Sequence, residues 1–162
     1  IRELIQAFSR LPKDVSLLLV GVDDPGLPVD VETQEIMQRS DNIYRLGFLS
    51  DIRPALAASD VLVLPSYREG FPNVVLQACA MCLPVIATNI SGCNEAITSG
   101  FNGWLVPPRD SDALLDAMKT ALNTPKEVLV EMGEQGRERV IDRFERAAHW
   151  ARMRAFYEVL AT

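Results

Sequence analysis

The strongest constraint on this chain is a recurrence. Short apolar runs, each closed by Gly, Pro or a polar residue, alternate with helical patterns. "VSLLLVG" (15–21), "DVLVLPS" (60–66) and "LPVIATN" (83–89) are continuous in their apolar character rather than alternating. Such runs belong to strands buried on both faces, as in a parallel sheet. "NIYRLGF" (42–48) is a shorter candidate with a Gly break, and "GWLVPP" (103–108) a brief last one. Among the helical segments, 2–11 places Leu4, Ile5, Phe8 and Leu11 on one stripe, a repeat of about 3.6 residues. Short helices are expected at 32–39, 51–58, 73–82 and 93–99. In 111–123, Ser111 is the expected N-cap and Leu114, Leu115, Met118 and Leu122 share a face. Further helices are expected over 126–141 and 145–161. The alternation predicts an α/β fold: a Rossmann-like parallel sheet with helices on both faces and right-handed crossovers. Ligands of such sheets bind beyond the carboxyl ends of the strands. The chemistry is therefore expected in loops 21–31, 47–51, 66–72, 89–94 and 107–110.

Composition narrows the function. A chain of 162 residues suits a single domain with its own core. A net charge of −6 argues against a nucleic-acid binder, which carries a basic stripe. Arg137, Arg139, Arg143, Arg146, Arg152 and Arg154 are interleaved with Glu138, Asp142, Glu145 and Glu158, which reads as a solvated helical face. No apolar run reaches the length of a bilayer span. Three cysteines, Cys79, Cys82 and Cys93, suggest reduced thiols and a cytoplasmic setting. "CAMC" lacks a second ligand pair for zinc and closes a helix, so its thiols read as small buried hydrophobes, and no metal site is expected. His149, the one histidine, has no acid or nucleophile near it in sequence and reads as structural or exposed. The chain lacks an initiator Met and opens inside a helical pattern, so a fragment of a longer protein is expected.

Two loops hold the candidate chemistry. In "PSYREGFPN" (65–73) the turn residues lead into a helix, and Pro72 suits its first turn. Free N–H groups there can donate to an anion or to sugar hydroxyls. Glu69 shares that rim, where a carboxylate can accept from two vicinal hydroxyls. Spacing alone leaves open a solvated acid that simply favours the helix N-terminus. Gln77 follows Asn73 at i+4 within an apolar helix; it is either a polar group seeking a partner or an exposed amide. In "ISGCNEAI" (90–97), Ser91 or Gly92 could cap a short helix, with Glu95 completing a capping box. Alternatively Gly92 lets the backbone approach a diphosphate, with the N–H groups of Cys93 and Asn94 aimed at it. "GVDDPG" (21–26) offers the wrong charge for phosphate and no cradling glycine pattern.

Taken together, "ASDVLVLPSYREGFPNVVLQACAMCLPVIATNISGCNEAITSGFNGWLVPPRD" closely resembles the donor-binding core of GT-B glycosyltransferases of family 4, the retaining group 1 enzymes of polysaccharide, lipopolysaccharide and glycoconjugate assembly. The likeness extends upstream through "LLLVG" and "YRLGFLSDIRPALAASD" and downstream into the last helices. It implies that 1–162 is the C-terminal, nucleotide-sugar-binding half of a two-domain enzyme, with the acceptor held by an N-terminal domain. It implies a UDP- or GDP-linked sugar as substrate, no metal and no other cofactor. A cytoplasmic location is implied, with peripheral association at the inner face of the membrane open to the full-length enzyme. By this resemblance Glu69 holds the donor sugar's hydroxyls, assisted by the amides of Gly70, Phe71, Pro72 and Asn73 that can donate. Gln77 stands where an acid grips the ribose, Gly47, Phe48 and Leu49 border the base, and the turn at Gly92, Cys93 and Asn94 lies near the donor.

Three departures from the family pattern matter. Gln77 loses a charge-assisted grip, and such bonds are roughly twice as strong as neutral ones. Cys82 replaces a Gly at a helix end that often needs positive φ. The family's first strand, with the basic residues that meet the diphosphate, is expected before Ile1. Alternative readings are a degenerate module that binds without transferring, a GT-B-like sugar-nucleotide epimerase and, least supported, a receiver-like α/β domain.

Overall fold

The computed structural model describes residues 1–23, 26 and 28–160, apart from the side chains of 146–149 and 152. The His149 side chain and Asp24 thus lie outside the described residues. The elements run α1 (Arg2–Phe8), β1 (Leu17–Val20), α2 (Val31–Arg39), β2 (Ile43–Gly47), α3 (Arg53–Ala57), β3 (Leu62–Leu64), α4 (Asn73–Ala80), β4 (Val85–Thr88), α5 (Cys93–Ala96), β5 (Gly103–Val106), α6 (Ser111–Asn123), α7 (Lys126–Phe144) and α8 (Arg146–Leu160). Every expected element forms, most with ends trimmed by a few residues, while α2 starts one residue earlier and α7 runs three residues further than expected. All strand pairs are parallel.

The strands alternate their side chains between two layers. Leu17, Leu19, Val61, Val63, Ile86 and Val106 join α1, α2 and α6 in one core cluster. Leu62, Leu64, Val85, Ala87 and Leu105 turn the other way, into a second cluster with α3, α4, α5 and Val140 of α7. Helices cover both faces of the β3–β4–β5 set, and β4 is buried along its whole length. Fully burying side chains such as Val75, Val85 and Ile86 contributes about 1.5–3 kcal/mol each.

One feature departs from a single continuous sheet. Hydrogen bonding divides the strands into β1–β2 and β3–β4–β5. β1 and β3 feed the same core cluster, yet neither is paired on its outer side among the described residues. The second face of the β1–β2 pair also stays open, with Val20, Tyr44 and Leu46 between 41% and 49% exposed.

Helix ends follow local chemistry, with two corrections. Asp110, not Ser111, caps α6 by accepting from the Ala113 N–H at 2.8 Å. Asp and Ser are comparable caps, and here it is Asp110 that has the extended backbone of the cap position. Pro72 lies one residue before α4 and serves as its N-cap position. At the other end of α4, Cys82 takes φ +59°. The Leu83 N–H donates to Ala78 O and the Cys82 N–H to Cys79 O, both at 2.9 Å, which is the Schellman arrangement. The helix therefore ends as a glycine would end it, with a Cys in the left-handed position.

Candidate functional site

Because the strands of β3–β4–β5 are parallel, the loops after β3 and β4 emerge side by side. The first, 65–72, leaves β3 and turns into α4. The Ser66 hydroxyl donates to Glu69 Oε1 at 2.5 Å, and the buried Thr88 at the end of β4 donates to the Ser66 carbonyl at 2.5 Å. Glu69 is half-buried and held on one oxygen. Its second oxygen carries no described hydrogen bond and remains free to accept.

The turn after β4 packs directly on this loop. Gly92 has φ +84°, and a Cβ there would lie 2.7 Å from the Gly70 carbonyl and 3.0 Å from Pro72 Cδ. A side chain at 92 would force the two loops apart, so glycine permits their contact. Burial, and secondarily the Glu69 carboxylate, push the Cys93 thiol up to about 11. That thiol stays protonated at neutral pH. The Gly92 turn differs from its expected chemistry in two respects. No side chain caps α5, so the Ser91–Glu95 capping box is not made. The Asn94 N–H donates to Ile90 O at 3.1 Å and its side chain to Asn89 Oδ1 at 3.3 Å, so its backbone amide is committed internally.

The structure thus brings Glu69, Gly70, Phe71, Pro72 and Asn73 together with Gly92 and Cys93. Asn73 and Gln77 are both exposed, on adjoining turns of α4. Gln77 is therefore an accessible amide rather than a buried group with a partner. Gly47, Phe48 and Leu49 lie at the carboxyl end of β2, where Gly47 takes φ +66° and Phe48 is 75% exposed. No described hydrogen bond links this loop to Glu69.

Spacing did not disclose a second cluster beside the loop. The Tyr67 hydroxyl donates to Glu3 Oε1 at 2.5 Å, and Arg109 lies 4.9 Å over the Tyr67 ring. Glu3 is buried, with Oε2 unpartnered. Burial opposes its charge, but the Tyr67 hydroxyl, Glu3's own backbone N–H and nearby positive charge outweigh it, leaving the carboxyl below its ordinary range. Contact across 64 residues carries no local signal. Ser66 was legible as part of the loop, but its bond to Glu69 was not. The arginine face also needs correction at Arg139, which is half-buried and donates to Glu95 O at 2.8 Å.

Among the described residues no group of three or more His, Cys, Asp or Glu is arranged to hold a metal ion, and no helix is long and apolar enough to cross a membrane.

The sequence profile described as "Glycosyl transferases group 1" matches residues 1–124. A curated relative, the capsular polysaccharide biosynthesis glycosyltransferase CapM of Staphylococcus aureus, is 28% identical over 160 residues, covering 97% of this chain and 42% of that protein. Sucrose-phosphate synthase from Thermosynechococcus elongatus superposes with a TM-score of 0.84 at 31% identity, over 98% of this chain and 41% of its own. HepE of Anabaena, in complex with UDP-glucose, gives a TM-score of 0.86 at 25% identity, over 97% and 44%. The chain spans less than half the length of each.

Proposed function

The chain belongs to the group 1 glycosyltransferases, and from that premise we propose that it is the nucleotide-sugar-binding domain of a retaining enzyme. That enzyme would move a sugar from a UDP- or GDP-linked donor to a glycan or glycolipid acceptor. Residues 1–162 would supply the donor half of the cleft, and an N-terminal domain the acceptor half. The observation that carries this reading is the free oxygen of Glu69, held by Ser66 beside the Gly92 turn. HepE supports a UDP-sugar as ligand, since its structure holds one.

The residues would act as follows. Glu69 accepts from vicinal hydroxyls of the donor sugar, and the Asn73 N–H at the start of α4 donates to sugar or phosphate oxygens. Gln77 bonds the ribose, accepting from one hydroxyl and donating to the other. The Gly92 turn brings backbone close to the diphosphate. In the reaction the bond from the anomeric carbon to the diphosphate oxygen breaks, and the acceptor oxygen bonds that carbon on the same face. The acceptor's proton passes to the departing diphosphate. Positioning and electrostatic stabilisation of the leaving group supply the rate through an oxocarbenium-like transition state. The cytoplasm, with its nucleotide-sugars, is the expected setting.

Glu69→Ala in the full-length enzyme should lower transfer by about a hundredfold or more, the scale of losing a positioned electrostatic contact. Undiminished turnover would remove Glu69 from this role. A second reading, a module that binds donor without transferring, draws on Gln77. Restoring the acid separates the two: if Gln77 is damage, Gln77→Glu tightens donor binding about tenfold, as expected of a charge-assisted bond. Unchanged affinity by calorimetry would mark the amide as an adaptation.

A further inference from the structure

Helix α7 touches both halves of the candidate site from behind. The Phe144 ring packs on Phe71 with centroids 5.2 Å apart and planes at 51°. Phe71 belongs to the loop that carries Glu69. Slightly more than one turn earlier, Arg139 Nη2 donates to the Glu95 carbonyl of α5, the helix that Gly92 opens. Arg137 Nη1 reaches the Ala80 carbonyl near the end of α4 at 3.3 Å.

The seat of α7 is fixed by close approach. A Cβ on Gly133 would lie 1.9 Å from the Cys82 carbonyl, and one on Gly136 3.4 Å from Cys79 Sγ. α7 therefore rests against α4 and cannot slide along it without backbone collision. Its carboxyl-terminal end is then held at a set distance from the 66–72 loop, which has no ladder hydrogen bonds of its own.

We infer that Phe144 is a positioning residue, with Arg139 as its second anchor: together they clamp the Glu69 loop against the Gly92 turn and so set the carboxylate that meets the donor sugar. The inference rests on the donor-binding reading of Glu69. Its chemical signature is selectivity. A loosened loop loses its hold on the sugar, while the nucleotide, gripped elsewhere, is held as before.

The test uses the full-length protein carrying Phe144→Ala or Phe144→Leu, with amide hydrogen exchange and calorimetric titration of UDP and UDP-glucose. Phe144→Ala should speed exchange at Val75, whose N–H donates to the Pro72 carbonyl of the loop, by about tenfold, the scale of losing one aromatic pair. Exchange along β4 should not change. UDP-glucose should bind about five- to tenfold more weakly, with UDP unaffected. Phe144→Leu, which keeps an apolar contact, should recover most of both effects. Arg139→Ala should speed exchange at Ile97, whose N–H donates to Cys93 O. Unchanged exchange at Val75 would overturn the clamp, and equal loss of UDP and UDP-glucose would overturn the sugar-positioning role. If the unaltered full-length protein bound neither ligand, the donor reading and the sugar-positioning role would fall together, and exchange would still decide the clamp.

Discussion

Cys82 shows how a single position can follow its neighbours against its own preference. An L-residue in the left-handed region costs roughly 1–2 kcal/mol, and the Schellman bonds at the end of α4 hold it there. Cys82→Gly removes that strain but adds the greater freedom of an unfolded glycine, worth roughly 0.5–1 kcal/mol. The net expectation is a gain of about 0.5–1 kcal/mol, read as a higher urea midpoint at unchanged slope; a lower midpoint would contradict the strain. The positive φ at this position was legible from the family pattern, because a glycine is usual there. Asp110 as the cap of α6 was not, since Ser111 is an equally good capping type and the geometry chooses between them. Gln77 shows the same limit: periodicity gave its turn of the helix but not its exposure, which depends on what packs alongside.

Among the elements, α7 is the one whose role sequence least disclosed. Its helical pattern was plain over 126–141, but two glycines inside a helix look only like weak spots. The structure gives them different meanings. Gly133→Ala would place a methyl within 1.9 Å of the Cys82 carbonyl, so α7 would have to move. A loss of about 1–3 kcal/mol is expected, as for overpacking of a well-fitted contact. Gly136→Ala meets Cys79 Sγ at an ordinary van der Waals distance and improves helix propensity by about 1 kcal/mol. It should be neutral or stabilising, and thermal unfolding of the two variants side by side checks the contrast. Such pairwise approaches join segments 50 residues apart, where no local periodicity reports them. The strands were legible for the opposite reason, since burial on both faces writes itself directly into a continuous apolar run.

For the whole molecule, the layered α/β arrangement and its parallel strands followed from the alternation of patterns. The division into two hydrogen-bonded sets did not, because pairing partners are not encoded in a strand's own composition. Handedness locates the break. α2 lies on one face, so the right-handed crossover through it steps from β1 to β2 in one direction; α4 lies on the opposite face, and its crossover steps from β3 to β4 the other way. The outer edges of β1 and β3 therefore flank the point where the winding reverses, where ligands of such sheets bind. Leu62 donates to Pro84 O and Leu17 to Asn42 O. Residues alternate direction along a strand, so the amides of Val63 and Leu18 point to the unpaired sides. Those two should exchange well ahead of Leu62 and Leu17 despite lying mid-strand. Equal protection, measured residue by residue, would show that the edges are closed.

Open seams of this kind are adhesive. Backbone left without a partner templates the pairing of any extended segment offered to it, another copy included. Within residues 1–162 these two edges are therefore the expected sites of pairing between copies. Light scattering that rises with concentration, and that added salt changes little, would be their signature.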